Sequence, residues 1–453
     1  MTEPTPKPAP KGGIGAAVAA ANENARRSLL RNHNGGYAEV SNLELFFDLV
    51  FVFAITQLSH FLLGRLTPSG ALQTAILFAA VWWAWMYTTW ATNWINPDRA
   101  MNRLMLGSVM LASMIMSAAI PQSFGSAAIP FAASYVAVQI GRSLYVWWTM
   151  ERDAYGAGLN QLRITAWFVA SLPFWMFGAL TGTIQTQITA WVAALAIEYA
   201  GPFLMFRTPG LGRSSHKDWI ISGNHMSERC GLFIIIALGE GLIISGATYA
   251  QAPAQAGLNL ALINAFVGSF AMWWLYFDIG ARRGARHIEH HAMPGLIARE
   301  AFTYWHIPIV AGIVVLAVGD ELMLAHPLDQ SHADFVAVVI GGAALFVGGL
   351  AAFKRISSGN PWYPASHAYG LIVLAAIGAW GLLQHPSHLA LMGATTLLFG
   401  AISVWEWVSF HGGWLERMEN RNMWLGKILR ARIEKRRSQR LAKEATNAAS
   451  REA

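Results

Sequence analysis

The segment formed by residues 41–63 constrains the fold more than any other part of the sequence. It holds about 20 largely apolar residues, enough at 1.5 Å per residue to cross the ~30 Å hydrocarbon layer of a membrane as a helix. Two acids, Glu44 and Asp48, nevertheless lie near its start. A carboxylate inside a membrane span costs at least ~2.5 kcal/mol on insertion scales, so it normally faces a protein interior or a wet cavity. The segment therefore predicts a membrane helix with one polar face, which carries Glu44, Asp48 and Ser59.

The overall composition is that of a membrane protein. Of the 453 residues, 55% are hydrophobic and only 13% are charged, whereas a soluble domain has about 25% charged residues. A single cysteine, Cys230, excludes an intramolecular disulfide and a cysteine-based metal cluster. The sequence contains no soluble catalytic motif, so we predict no cofactor and do not expect an enzyme.

Apolar windows bounded by charged residues, Pro or Gly predict twelve transmembrane helices. The windows lie near residues 44–63, 71–94, 104–121, 127–149, 163–181, 187–206, 228–248, 258–280, 300–319, 333–353, 366–384 and 388–410. The predicted fold class is therefore all-α, a polytopic integral membrane protein.

The distribution of basic residues predicts how these helices are oriented. Of the 32 Lys and Arg, 30 lie in the two tails and in alternate loops, the other loops hold only Arg65, and Arg142 lies inside the fourth window. Basic loops face the cytoplasm in bacterial membranes. We therefore expect a multi-pass membrane protein with both termini in the cytoplasm.

Internal similarity predicts two six-helix repeats of the same orientation, related by an axis along the membrane normal. The aromatic run that begins at Trp82 corresponds to the run that begins at Trp273, and Glu198 in the sixth window corresponds to Glu406 in the twelfth. The predicted division of the chain is a disordered cytoplasmic tail 1–37, a first membrane half 38–207, a cytoplasmic linker 208–227, a second membrane half 228–411 and a basic amphipathic cytoplasmic tail 412–453.

The basic C-terminal tail predicts a lipid partner. It holds 11 of the 32 Lys and Arg beside an irregular apolar stripe. We expect it to lie on anionic lipid headgroups, at roughly 1 kcal/mol for each base close to the surface, and we do not expect it to bind nucleic acid. The other expected partners are the lipid bilayer and a small ion or small-molecule substrate, and the sequence leaves the oligomeric state open.

Three strings carry a resemblance to a known family. They are LELFFDLVFVFAITQLSH at residues 43–60, HMSERCGLFIIIALGEGLI at residues 225–243 and WWLYFD at residues 273–278. With these strings the chain resembles the bacterial low temperature requirement protein A family over roughly residues 37–411. The resemblance implies a polytopic membrane protein linked to growth in the cold and leaves the molecular activity open.

The candidate site residues are the charged side chains inside the windows. They are Glu44, Asp48, Glu198, Glu240, Asp278 and Glu406, with Arg142 as the one base well inside a span. Such groups mark ion or substrate pathways, proton relays or structural ion pairs. An unpaired Asp48 or Glu240 would serve as a proton carrier, and a hydrated one as a cation ligand.

Several of these acids also have a structural interpretation. Glu44, Glu228 and Asp278 lie toward the cytoplasmic ends of their windows, where they could cap helices or pair with Arg229 or Arg282. Arg142 needs a partner inside the membrane, and the candidates are Glu198 and Asp48. Separately, His287, His290 and His291 form a weak candidate for a metal site or a pH sensor in a loop, where a solvated cluster is also ordinary.

Three functions fit these observations. The first is a proton- or cation-coupled transporter, in which two six-helix halves enclose a site lined by the first and seventh helices. The second is a cation channel built from two six-helix repeats. The third is an intramembrane lipid-modifying enzyme, which would suit a role in the cold through membrane composition. A closed central cavity would indicate the transporter, a continuous wet pore the channel, and a groove open to lipid the enzyme.

The distribution of bases yields a topology prediction. Alkaline phosphatase fused after residue 325, between the ninth and tenth windows, should be active because that loop is expected outside the cytoplasm. The same reporter fused after residue 359, in the next loop, should be inactive and serves as the control. An inactive fusion at residue 325, in cells that accumulate the full-length fusion protein, would show that the twelve-helix count is wrong.

Overall fold

The apolar windows fold into a bundle of helices. The computed structural model describes residues 28–31, 40–153, 158–215, 223–278, 297–359 and 361–410. Each of the twelve predicted windows is a helix in this part of the chain, which confirms the all-α polytopic fold. The helices are α1 Asn42–Leu63, α2 Pro68–Trp94, α3 Ala100–Ala119, α4 Ala128–Asp153, α5 Leu159–Leu180, α6 Ile184–Phe203, α7 Gly223–Gln251, α8 Leu258–Phe277, α9 His306–Ala325, α10 Ala333–Ser358, α11 Ala365–Gln384 and α12 His388–Phe410.

Ten of these helices are long and apolar enough to cross a membrane, judged by length and composition. The two that fall below this standard are α4 and α6. Their polar residues Gln139 and Arg142 on α4, and Gln187 and Glu198 on α6, are nevertheless buried. Polar residues that face the protein interior therefore contribute to the lower apolarity of α4 and α6.

Local signals fix where the first two helices begin. Ser41 caps α1, and Glu44 completes a capping box by accepting a hydrogen bond from the Ser41 backbone N–H. Thr67 caps α2 by accepting a hydrogen bond from the Gly70 N–H, and Pro68 occupies the first helical position, where its missing N–H costs nothing.

A short piece of the N-terminal tail is ordered against the bundle. Leu29 is buried, and the Arg31 backbone N–H donates to the Trp94 carbonyl oxygen at 2.7 Å. Residues 28–31 of the tail that was predicted to be mostly disordered are therefore ordered, because an apolar side chain and several hydrogen bonds hold them in place. Most of that tail, and the whole C-terminal tail, lie outside the described residues.

The two halves of the bundle show the same pattern of neighbouring helices. In the first half, α1 packs on α2 and α3, α3 on α4, α4 on α5, α5 on α6 and α2 on α6. In the second half, α7 packs on α8 and α9, α9 on α10, α10 on α11, α11 on α12 and α8 on α12. This is the arrangement that a duplicated six-helix unit would produce.

The halves meet where α1 packs against α7 and α9. Contacts along the α1–α7 interface advance together in sequence, from Glu44 with His225 near the start to Thr56 with Glu240 farther along. The two helices therefore run parallel, so an odd number of membrane crossings lies between them, as the five helices α2 to α6 provide. The first and seventh helices thus have the same orientation, as the repeat requires.

Helix α2 lies at the centre of the bundle. The indole N–H groups of Trp82 and Trp90 donate to the carbonyl oxygen and the hydroxyl of Thr303, at 2.9 and 3.1 Å. Thr303 belongs to a π-helical turn, Arg299–Tyr304, that precedes α9. The proposed counterpart of Trp82 in α8, Trp273, is 42% exposed. The two aromatic runs therefore have different environments despite their similar sequences.

Small residues bring α9 and α10 into close contact, as is common between membrane helices. A Cβ on Gly312 would lie 2.6 Å from the Phe346 backbone nitrogen and 2.7 Å from the Gly342 carbonyl oxygen. Backbone atoms cannot move aside as a flexible side chain can. Gly312 is therefore a position where only glycine allows the observed helix spacing.

This contact predicts that Gly312→Ala destabilises the protein. The added methyl group should separate α9 from α10, at a cost of about 1–3 kcal/mol that lowers the melting temperature of purified protein. Gly341→Ala is the matched control, because a Cβ on Gly341 in the same pair of helices meets nothing within 4 Å. Equal melting temperatures for the two variants would contradict the packing described here.

Candidate functional site

Charged side chains concentrate at the interface between α1 and α7. Glu44 is fully buried in the first turn of α1. Its Oε2 accepts hydrogen bonds from Arg31 Nη2 at 2.8 Å and from the Ser41 N–H at 2.9 Å, and its Oε1 lies 2.8 Å from His225 Nε2 on α7. Glu44 thus caps α1 and also ties it to α7, which corresponds to the structural interpretation of this acid.

One turn farther along α1, Asp48 forms a buried ion pair with Arg229 of α7. Asp48 Oδ1 accepts hydrogen bonds from Arg229 Nη2 at 2.7 Å and from the indole N–H of Trp85 at 2.8 Å. The Arg229 guanidinium also lies 5.7 Å from the ring centroid of Phe47. The sequence offered Glu44, Glu228 and Asp278 as possible partners of a neighbouring arginine, and the ion pair that Arg229 forms is with Asp48, because the parallel contact of α1 and α7 places Asp48 opposite it.

The Asp48–Arg229 pair is enclosed but incompletely satisfied. Both side chains have 0% exposure. Among the described residues, the buried atoms Asp48 Oδ2 and Arg229 Nε and Nη1 have no hydrogen-bond partner. Buried polar atoms nearly always have a partner, and an unmade hydrogen bond costs about 1–3 kcal/mol. These three atoms are therefore where the pair can bind water or exchange partners.

Glu240 occupies a different setting on the same interface. It is 7% exposed, and its Oε1 accepts a hydrogen bond from Thr56 Oγ1 of α1 at 2.5 Å. No base among the described residues forms an ion pair with it. Thr56 lies eight residues beyond Asp48, or about 12 Å along α1 at the helical rise. Glu240 is therefore a buried acid whose observed partner is an uncharged hydroxyl.

Two further acids on α9 were not among the predicted site residues. Asp320 is 5% exposed, and its carboxylate forms no hydrogen bond or ion pair with another described residue. Glu321 is half-buried, and its Oε2 has no partner. The predicted ninth window ended at residue 319, whereas α9 continues to Ala325. The apolar residues that follow the two acids were the signal that could have placed them inside the span.

Glu198 is surrounded by neutral donors. It is 2% exposed at the junction of α4, α5 and α6. Ser171 Oγ and Trp175 Nε1 donate to its Oε1 at 2.6 and 2.8 Å, and the Tyr135 hydroxyl donates to its Oε2. With three donors, this acid has the hydrogen bonds of a fixed structural carboxylate.

Arg142 does not pair directly with either predicted acid. Among the described residues, its guanidinium donates to Gln139 Oε1 at 2.6 Å and to Thr88 Oγ1 at 3.2 Å. The Gln139 amide donates to the Tyr135 hydroxyl at 2.9 Å, and that hydroxyl donates to Glu198. The predicted ion pair is therefore wrong, because two neutral side chains separate the charges and connect them by hydrogen bonds.

Glu406 has a base as its partner. At the junction of α10, α11 and α12 it forms a buried ion pair with Lys354, and His367 Nδ1 lies 3.3 Å from its Oε1. His367 Nε2 is buried without a partner. Asp278, at the end of α8, lies near enough to interact electrostatically with Lys354, and its Oδ2 is also unpartnered. Glu198 and Glu406 thus occupy corresponding junctions of the two halves but have different partners.

The weak metal candidates cannot be placed. His287, His290 and His291 lie outside the described residues. Within the described part of the chain, no group of three or more His, Cys, Asp or Glu side chains is positioned to hold a metal ion.

Comparisons with known proteins agree with the resemblance seen in the sequence. The family model described as bacterial low temperature requirement A protein matches residues 39–404. A protein of Rhizobium meliloti (strain 1021), itself described as uncharacterized, is 35% identical over 381 residues, which cover 84% of this chain and 92% of that protein. No solved structure gives a significant match.

The buried pair predicts a specific order of stabilities. Asp48→Asn and Arg229→Gln should each leave one uncompensated charge and lower stability by about 3–5 kcal/mol, whereas the double variant should lose less than the sum of the two. Melting temperatures of the purified variants measure this. Asp98→Asn is the control, because its 3.3 Å pair with Arg103 is exposed and should contribute less than about 1 kcal/mol. A wild-type melting temperature for Asp48→Asn would contradict a structural pair.

Proposed function

Since the chain belongs to the bacterial low temperature requirement A family, we propose that this polytopic membrane protein is a proton- or cation-coupled transporter of the bacterial cytoplasmic membrane, linked to growth at low temperature. The observation that supports it best is Glu240, a buried acid that contacts a hydroxyl and no described base. An acid inside a membrane span is by default a candidate for an ion pathway or a proton relay.

The position of Glu240 suits a coupling site. It lies between α1 and α7, the corresponding first helices of the two halves, and parallel-repeat transporters bind their substrates between repeats. A neutral Glu240 carries a proton, and an ionised Glu240 is a cation ligand beside the Thr56 hydroxyl. Asp320, a second buried acid with no described partner, lies on α9, which packs against both α1 and α7.

The Asp48–Arg229 pair is the proposed closure of this pathway at the predicted cytoplasmic end. The pair is fully buried, and the rings of Phe47 and Trp85 lie within 6 Å of the Arg229 guanidinium. Breaking such a pair without a replacement partner is costly, so it would open only when water or an ion satisfies its two charges. Its unpartnered atoms are where that replacement would begin.

The same geometry favours a transporter over the two alternatives. A cation channel conducts through a continuous wet path, and a buried ion pair with aromatic neighbours stands in the α1–α7 interface. An intramembrane lipid-modifying enzyme needs its reacting groups at one depth. Asp48 and Glu240 are separated by about 12 Å along the interface, judged from the helical rise between Asp48 and Thr56.

The proposal predicts that Glu240→Gln abolishes proton-coupled flux. Purified protein in liposomes with an internal pH-sensitive dye should relax an imposed pH gradient, and the glutamine variant should not, because a neutral amide cannot release a proton. Its melting temperature should stay near that of wild type, since Thr56 can still hydrogen-bond the amide. Transport lost only together with the fold would contradict the assignment.

Asp334→Asn is the matched control for this experiment. Asp334 is an exposed acid in the first turn of α10, and its neutralisation should leave flux unchanged. If wild-type protein relaxes neither a pH gradient nor a sodium or potassium gradient, the transporter proposal fails. If the Glu240→Gln and Asp334→Asn variants relax the pH gradient at the same rate, Glu240 is not the coupling acid.

A further inference from the structure

A cavity of about 320 Å³ lies at the opposite end of the first half from the Asp48–Arg229 pair. It is bounded by the α1–α2 connection, the first turns of α2, the segment that joins α3 to α4 and the start of α6. A volume near 300 Å³ is at the lower end of the range for small-molecule sites. The distribution of Lys and Arg predicts that this end faces outside the cytoplasm.

Arg65 is the charged residue of this cavity. It is the one Lys or Arg that the sequence places in the predicted outer loops. Because basic residues are disfavoured in outer loops, the presence of Arg65 there needs an explanation. The backbone of Arg65 packs on Gly70, where a Cβ would lie 2.1 Å from the Arg65 carbonyl oxygen. Its guanidinium lies 4.0 Å from the ring centroid of Phe61. Backbone and side chain are thus both held at the cavity.

The donors of Arg65 are available to a ligand. In the described part of the chain, the one hydrogen bond of its guanidinium runs from Nη2 to the Pro121 carbonyl oxygen at 3.5 Å, which is the limit for such a bond. None of the residues that line the cavity is acidic. The cavity therefore presents a positive charge that has no negative partner within its walls.

The remaining polar lining completes a site for an anion. Gln73 is 8% exposed, and its amide has a single long contact, 3.5 Å from Nε2 to Ser69 Oγ. Gln122 and Thr67 supply further side-chain groups that can donate a hydrogen bond. A guanidinium with amide and hydroxyl donors is a donor set that matches the paired oxygens of a phosphate or a carboxylate.

We propose that this cavity binds a small oxyanion, either a phosphate or a carboxylate group, through Arg65 and Gln73. The group belongs to a free solute or to the headgroup of an anionic lipid, since both present the same oxygens. The proposal is independent of the transport function, because it concerns equilibrium binding on the outer face of the first half.

The test is a thermal-shift titration of the full chain. Wild-type protein in phosphatidylcholine nanodiscs is titrated with inorganic phosphate against chloride at matched ionic strength, and separately compared in nanodiscs that also contain phosphatidylglycerol. Inorganic phosphate, phosphatidylglycerol or both should raise the melting temperature of the wild-type protein. Arg65→Gln should weaken the response at least about tenfold in concentration, because it removes charge-assisted hydrogen bonds. Arg65→Lys should keep part of it.

Two other variants make the result decisive. Arg103→Gln removes an exposed arginine at the other end of the bundle and should respond as wild type does, which separates the cavity from general attraction to anions. If Arg65→Gln fails to fold, Gln73→Leu takes its place as the test variant and should also weaken binding. A response to phosphate identifies a free solute, and a response to phosphatidylglycerol alone identifies a headgroup. No response in wild type, or equal responses from Arg65→Gln and Arg103→Gln, would overturn the proposal.

Discussion

The buried ion pair between Asp48 and Arg229 is the contact on which the arrangement of the two halves depends. Neither charge can face hydrocarbon alone without a cost of at least a few kcal/mol, so each helix is required beside the other. The Glu44–His225 contact one turn earlier repeats the requirement. Together they fix α1 and α7 in parallel and in one register, and α2, α3, α8 and α9 pack directly against that pair.

Five of the buried acids among the described residues satisfy the same constraint in different ways, whereas Asp320 has no described partner. Asp48 has a guanidinium, Glu44 has a helix cap and a histidine, and Glu198 has three neutral donors. Glu406 has an ammonium group. Glu240 contacts a hydroxyl. The first four kinds of partner stabilise the ionised form or compensate its charge. Of these partners, a single hydroxyl compensates the charge of a carboxylate least, and it can also form a hydrogen bond with a neutral carboxyl group.

The sequence predicted the twelve helices well because window length and apolarity are local properties. It could not predict the partners of the charges, since Asp48 and Arg229 lie 181 residues apart and meet only through the packing of two halves. The Arg142 pairing failed because the intervening Gln139 and Tyr135 gave no signal of their own. Asp320 was missed because an acid near a window edge resembles a loop residue.

The two halves share a framework but have diverged in their charges. Glu198 and Glu406 lie at corresponding three-helix junctions, yet the first is satisfied by three neutral donors, whereas the second has a base and a neighbouring histidine nitrogen without a partner. A duplicated scaffold alone would give equal environments. The difference follows from side chains at facing positions, Tyr135 on α4 and Lys354 on α10, which change the charge of the junction without changing which helices meet. The framework therefore specifies where acids lie, and the facing residues decide which of them can change its protonation or its partner.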